Sequence, residues 1–223
     1  ARLHALGALD AIGKLQDADL VSLAENASNH DAVRERAITL LAARQSLSKG
    51  PVASLANADS ARLRFVAAAA ATRLPSADRA PLVAALIRKN DVSPWTQSAL
   101  TQSIDTAVFK ELSASLRQLP RNVAASLLTT VAKSDPNPAT RQALIRAVTT
   151  PLLDEPLFTE LAKAFRDAGV SIAEVDSDGH AAAMFMKAHR TALDRSAPDR
   201  TSAIRLLSLW KDPRSLEGIR SCL

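Results

Sequence analysis

Several stretches of the sequence hold residue types able to do chemistry. Glu174, Asp176 and Asp178 place carboxylates at alternate positions and Gly179 follows in the sixth, which is how a calcium loop opens. The twelfth position of such a loop needs a bidentate glutamate, and here it is Phe185. The stretch therefore reads as an acidic loop capping a helix that starts near Gly179, where the helix dipole favours negative charge. His180 and Met184 lie one turn apart on one helical face and could in principle share a haem iron or a copper ion, while Met186 and His189 point elsewhere. No cysteine is near and no third ligand shares that face, so a helix-end histidine and two core methionines are expected. Arg34, Arg36, Arg62, Arg64 and Arg73 recur along the chain and could meet phosphates, but Asp31, Glu35 and Asp59 sit close enough in sequence to pair with them internally. The serines, the four histidines and the single Cys222 include no Gly-x-Ser-x-Gly elbow and no glycine-rich phosphate loop. No residue in this segment is singled out as a catalytic, metal or cofactor-binding site. Trp95 and Trp210, each beside an apolar stripe, are expected in the core.

The elements that carry these residues read as helices. Apolar side chains recur at three- and four-residue spacing, as in Leu3, Leu6, Leu9 and Ile12 or Val33, Ala37, Leu40 and Leu41, and strict alternation is scarce. Start signals separate the stripes: Ser93-Pro94, Asn137-Pro138 and Gly50-Pro51, with Ser76, Asp105 and Asp199 as further caps. Composition is globular: 47% apolar, 23% charged and 3% aromatic in 223 residues, with a net charge of +5 that creates no basic field. One cysteine excludes an internal disulfide, a Cys-based zinc site and a c-type haem attachment motif within these residues. No run approaches a membrane span. The first residue is Ala1, and apolar periodicity continues to Cys222-Leu223, so the chain is expected to be a piece of a longer polypeptide.

The helical pattern repeats. Val33-Arg34-Glu35-Arg36-Ala37 aligns with Leu63-Arg64-Phe65-Val66-Ala67, with Ala1-Arg2-Leu3-His4-Ala5 before and Pro94-Trp95-Thr96-Gln97-Ser98 after. A small residue thus closes each motif at 5, 37, 67 and 98, a period near 31. A shorter helix precedes each later motif, over Asp17 to Glu25, Pro51 to Asn57 and Ala77 to Lys89. Two helices per repeat predict an all-α fold: a right-handed α-solenoid of about seven helix pairs forming one domain over 1–223, regular over 1–110 and more divergent over 111–223. Arg141 and Arg200-Thr201-Ser202-Ala203 are the recognisable returns in the second half. The absence of tyrosine argues against tetratricopeptide repeats, and six glycines are too few for ankyrin turns.

Asp31-Ala32-Val33-Arg34 and Asp59-Ser60-Ala61-Arg62-Leu63-Arg64 resemble the motif that opens the second helix of HEAT repeats. The resemblance implies a structural ladder in which Asp31, Arg34, Asp59 and Arg64 pair between neighbouring repeats. Residues 1–13, with Asp19-Leu20 and Val33 to Ala37, further resemble the HEAT-like segment of the large membrane-bound dehydrogenase or haem-binding proteins of planctomycetes and their relatives. That segment lies between a β-propeller and a c-type cytochrome module. The resemblance implies a non-catalytic scaffold in a periplasmic or membrane-associated redox protein, with haem c elsewhere in the parent chain. Its partners would be flanking domains or another protein. Two alternatives remain open: a free-standing HEAT-like adaptor or lyase-type protein, and a HEAT-like nucleic-acid enzyme.

Overall fold

A helix forms where a side chain can satisfy its first amides, and the chain supplies such groups at short intervals. In the computed structural model, which describes residues 2–89, 93–150 and 154–210, Ser93 Oγ accepts from the Thr96 amide at 3.2 Å and Asn137 Oδ1 from the Ala139 amide at 2.9 Å. Asp105 Oδ1 takes the Val108 amide at 2.9 Å. Ser76 falls instead at the first helical residue, where its hydroxyl donates to Asp105 Oδ2 at 2.8 Å. The described residues form fourteen α-helices and one 3-10 turn, with no strand among them. They divide into two units, Ala1–Leu112 and Ser113–Leu223. The boundary lies close to the point where the repeat pattern weakens.

The first unit contains α1 (Arg2–Ala11), α2 (Asp17–Glu25), α3 (Asp31–Ala43), α4 (Lys49–Ala56), α5 (Ala61–Ala71), α6 (Ser76–Arg88), α7 (Pro94–Thr101) and α8 (Thr106–Leu112). Even-numbered helices pack on one another in order, α2 on α4, α4 on α6 and α6 on α8. The odd-numbered ones do the same, from α1 on α3 to α5 on α7. Between the rows, α2 packs on α3 and α4 on α5, closing over Leu20, Leu41, Leu55 and Leu63, all inaccessible to solvent. Each such leucine contributes about 2 kcal/mol by leaving water. On α5 the buried face includes Ala67, Ala68 and Ala71, whose short side chains leave room for close helix approach.

The expected motif register holds for two of its four members. Ala37 and Ala67 are fully buried, each six residues after the start of its helix. Ala5 and Ser98 are exposed, and the equivalent position in α7 is the buried Leu100. Pro94 sets the start of α7, which shifts the inward stripe relative to a sequence alignment on the small residue.

The second unit begins with the 3-10 turn Ser113–Gln118 and continues with α9 (Arg121–Ser134), α10 (Pro138–Thr149), α11 (Glu155–Asp167), α12 (Ile172–Val175), α13 (His180–Leu193) and α14 (Arg200–Leu207). Helix α11 packs on α9, α10 on both α11 and α13, and α13 on α14. Phe158 of α11 meets Phe185 of α13 edge-on at 5.6 Å, and Phe185 meets Trp210 at 4.1 Å. No helix among the described residues is long and apolar enough to cross a membrane.

Candidate functional site

Of the arginines that recur in the sequence, Arg34, Arg64 and Arg73 reach backbone oxygens, whereas Arg36 is exposed and Arg62 meets a carboxylate. Arg34 and Arg64 are each the fourth residue of their helices, and both are buried, at 5% and 8% exposure. Arg34 Nε donates to the Ala24 carbonyl at 2.9 Å, and its Nη2 reaches Ser54 Oγ at 3.0 Å. Ser54 Oγ in turn donates to the Glu25 carbonyl at 3.2 Å. Arg64 Nη1 donates to the carbonyls of Ala58 and Asp59 at 3.0 and 2.6 Å. The expected Asp–Arg ladder is therefore corrected for Arg34: its partners among the described residues are carbonyls and a hydroxyl, and Asp31 is not one of them. Asp59 serves Arg64 through its backbone. For Arg34 the physical reason is the end of the preceding helix, where the last carbonyls lack amide partners and carry the negative pole of the dipole; Arg64 does the same for two carbonyls of the loop after α4.

The same use of cations recurs through both units. Arg73 reaches the Ala42 carbonyl at 2.9 Å and Lys89 the Ala56 carbonyl at 3.0 Å. Arg117 reaches Thr150 and Arg200 reaches Ala192, both at 3.0 Å. Each acceptor lies in the last turn or at the cap of a helix. Arg141, also the fourth residue of its helix, has a buried Nε without a hydrogen-bond partner among the described residues.

Carboxylates form a second set of ties that the motif did not mark. Arg44 joins Asp10 at 2.5 Å and Asp17 at 2.7 Å, and Arg62 joins Glu35 at 2.6 Å. Arg79 pairs with Asp105, and Arg146 with Asp178. The bond from Arg44 holds Asp17 below the usual carboxylate range, and that from Arg146 does the same for Asp178. Burial pushes Asp105 up, but the Val108 amide, Arg79 and Ser76 outweigh it and leave the group lowered.

The calcium-like stretch is consumed by the fold. Asp176 Oδ2 accepts from the Ala182 amide at 2.9 Å, capping α13, and the Ser177 amide donates to Gln142 Oε1 at 3.2 Å. Gly179 takes the left-handed conformation, with φ of 72°. Among the described residues no three His, Cys, Asp or Glu side chains are grouped so as to hold a metal ion. His180 is the first residue of α13 and partly buried, as is Met184, but Met186 is 57% exposed rather than in the core. Trp95 is likewise displaced from its expected place: at 77% exposure it stands at the second position of α7, whereas Trp210 stacks on Phe185. Helical periodicity places a residue on a face without saying whether another helix covers that face. Cys222 lies outside the described residues.

The second unit also carries a hollow that no motif in the sequence marks. A groove of about 650 Å³ lies between α11 and α14, with α9 contributing Arg121 and Ala125. Glu155 and Asp199, at the starts of α11 and α14, line a common hollow, and Arg166 and Leu209, at their ends, line another. The two helices therefore run in the same direction along the groove. Lys163 is tied to Glu160 at 2.7 Å and Arg166 to Asp167 at 3.2 Å. Arg121 and Arg205 have no ion-pair partner among the described residues. Arg121 was detectable as a cation at a helix start, where the dipole disfavours it. Comparison of the chain with protein-family models, with curated proteins and with solved structures finds no significant match.

Proposed function

We propose that the chain is a HEAT-like α-solenoid of about seven helix pairs that acts as a non-catalytic scaffold and interaction segment. What supports this reading is the pattern in the first unit, where two rows of helices alternate and Arg34, Arg73 and Lys89 reach carbonyls in the last turns of earlier helices. Such pairs bury an apolar face only by stacking, so an array of them sets distances between whatever is attached to it. The sequence resemblance extends the proposal to the parent protein: a periplasmic or membrane-associated dehydrogenase with a c-type cytochrome module. In that setting donor oxidation belongs to one flanking module and electron acceptance to the other, with haem c carried outside this segment.

A reduced-minus-oxidised absorbance spectrum of the native full-length protein, isolated with an antibody raised against this segment, tests the extension. A c-type haem band is the expected result. Its absence removes the dehydrogenase assignment and leaves a free-standing adaptor as the working reading. The nucleic-acid enzyme is disfavoured because Arg34, Arg64 and Arg73 spend donors on backbone carbonyls and Arg62 is tied to Glu35.

A further inference from the structure

We propose that the groove between α11 and α14 is the docking site for a bipolar segment of a partner protein, acidic at one end and basic at the other. The proposal rests on the scaffold reading and gives it a partner surface. Where α11 meets α9 the helices pack directly, but on its other side the groove separates it from α14. Charge along the groove is polarised. At the helix starts Glu155 and Asp199 outnumber Arg121, and towards the ends Lys163 and Arg166 are paired with Glu160 and Asp167, which leaves Arg205 as the cation there without a carboxylate among the described residues. Arg205 has no carboxylate within 4 Å among the described residues, and the same groove is lined by the apolar Ala125, Pro156, Leu157 and Leu209. A nucleic acid, negative along its whole length, would meet Glu155 and Asp199 at one end. A peptide with carboxylates towards Arg205, an aliphatic middle and a lysine or arginine towards Glu155 meets opposite charge throughout. The wall from Glu155 to Arg166 is about 16 Å long, which suits about three turns of a partner helix.

The test is fluorescence anisotropy of the whole 223-residue chain with a labelled probe peptide made of a glutamate block, a leucine-rich middle and a lysine block. Saturable binding is expected, weakened roughly tenfold or more by Arg205→Glu, because a charge-assisted bond is replaced by repulsion. Arg205→Gln, which removes the charge with little disturbance of an exposed site, is expected to fall between the two. Arg36→Glu, at an exposed position in the first unit, is expected to bind as the unmodified chain does. Circular dichroism of each variant checks folding. The proposal is overturned if the probe does not bind at low salt, if both Arg205 variants bind unchanged, or if Arg36→Glu weakens binding as much. It is also overturned if a DNA duplex displaces the probe at lower concentration than an unlabelled copy of the peptide. Any of these results leaves the scaffold reading to its own spectroscopic test.

Discussion

Arg34 shows what one side chain does in this architecture. Its guanidinium reaches the end of α2 with Nε and the side chain of α4 with Nη2, so one residue of α3 joins three helices. The planar fork is essential to that task, since a lysine ammonium cannot present two donors in those fixed directions. Arg34→Ala is expected to destabilise the chain by about 3 kcal/mol, through lost bonds to a charged donor and an unfilled space. Arg34→Lys should recover less than half of that. Urea unfolding followed by circular dichroism measures both, and a loss below about 1 kcal/mol in the alanine variant would refute the assigned role. Trp95 is the opposite case, a large apolar side chain on a helical stripe that the fold leaves in solvent.

At the scale of elements, stability is decided at helix ends. Helix α3 stops in a Schellman turn: the Ser46 amide donates to the Leu41 carbonyl at 3.0 Å and the Gln45 amide to Ala42 at 3.3 Å. The left-handed position in that turn is Gln45, with φ of 58°. Helix α11 ends in the same way, with Gly169 at φ 72° and the Val170 amide on Phe165 at 2.8 Å. A glutamine in this conformation carries a Cβ penalty of about 1 kcal/mol that glycine escapes. Gln45→Gly is therefore expected to raise the melting temperature, and Gly169→Ala to lower it, each by a shift equivalent to about 1 kcal/mol. Differential scanning calorimetry reads both, and a lower melting temperature for Gln45→Gly would contradict the strain assigned to that position. Where glycine marks such a stop it was visible in the sequence; where glutamine stands in for it, no local signal existed.

For the whole molecule, pH is the lever that acts on many ties at once. Asp17, Asp105, Asp178 and Asp194 all titrate below the ordinary carboxylate value when folded. Their stabilising contribution is complete above the unfolded carboxylate value, near pH 4, and is lost as pH falls through that value towards the lower folded ones. The melting temperature should therefore fall steeply below about pH 4. Asp105→Asn, which removes the charged partner of Arg79, should melt lower than the unmodified chain at pH 7 and converge with it in acid. A constant difference across that range would show that the carboxylate charge is not what matters.

The sequence by itself determined the helical class and many helix limits, because periodicity and capping are properties of a few adjacent residues. Of the expected shorter helices, Asp17 to Glu25 matches α2 as read, while α4 and α6 start one or two residues earlier and end one earlier than expected, and Ser93-Pro94 and Asn137-Pro138 open α7 and α10. It also marked Arg34 and Arg64 as special without showing what they bind. Only the tertiary structure decided that, since the partners of Arg34 lie ten and twenty residues away and are backbone and hydroxyl oxygens that any sequence contains. The exposure of Trp95 and Met186 depends on whether a neighbouring helix arrives, which no local pattern encodes. The groove of the second unit is a matter of spacing between α11 and α14, two parallel helices separated by more than thirty residues of chain. Local interactions set each helix, and the distances between helices follow from side chains packing across the fold.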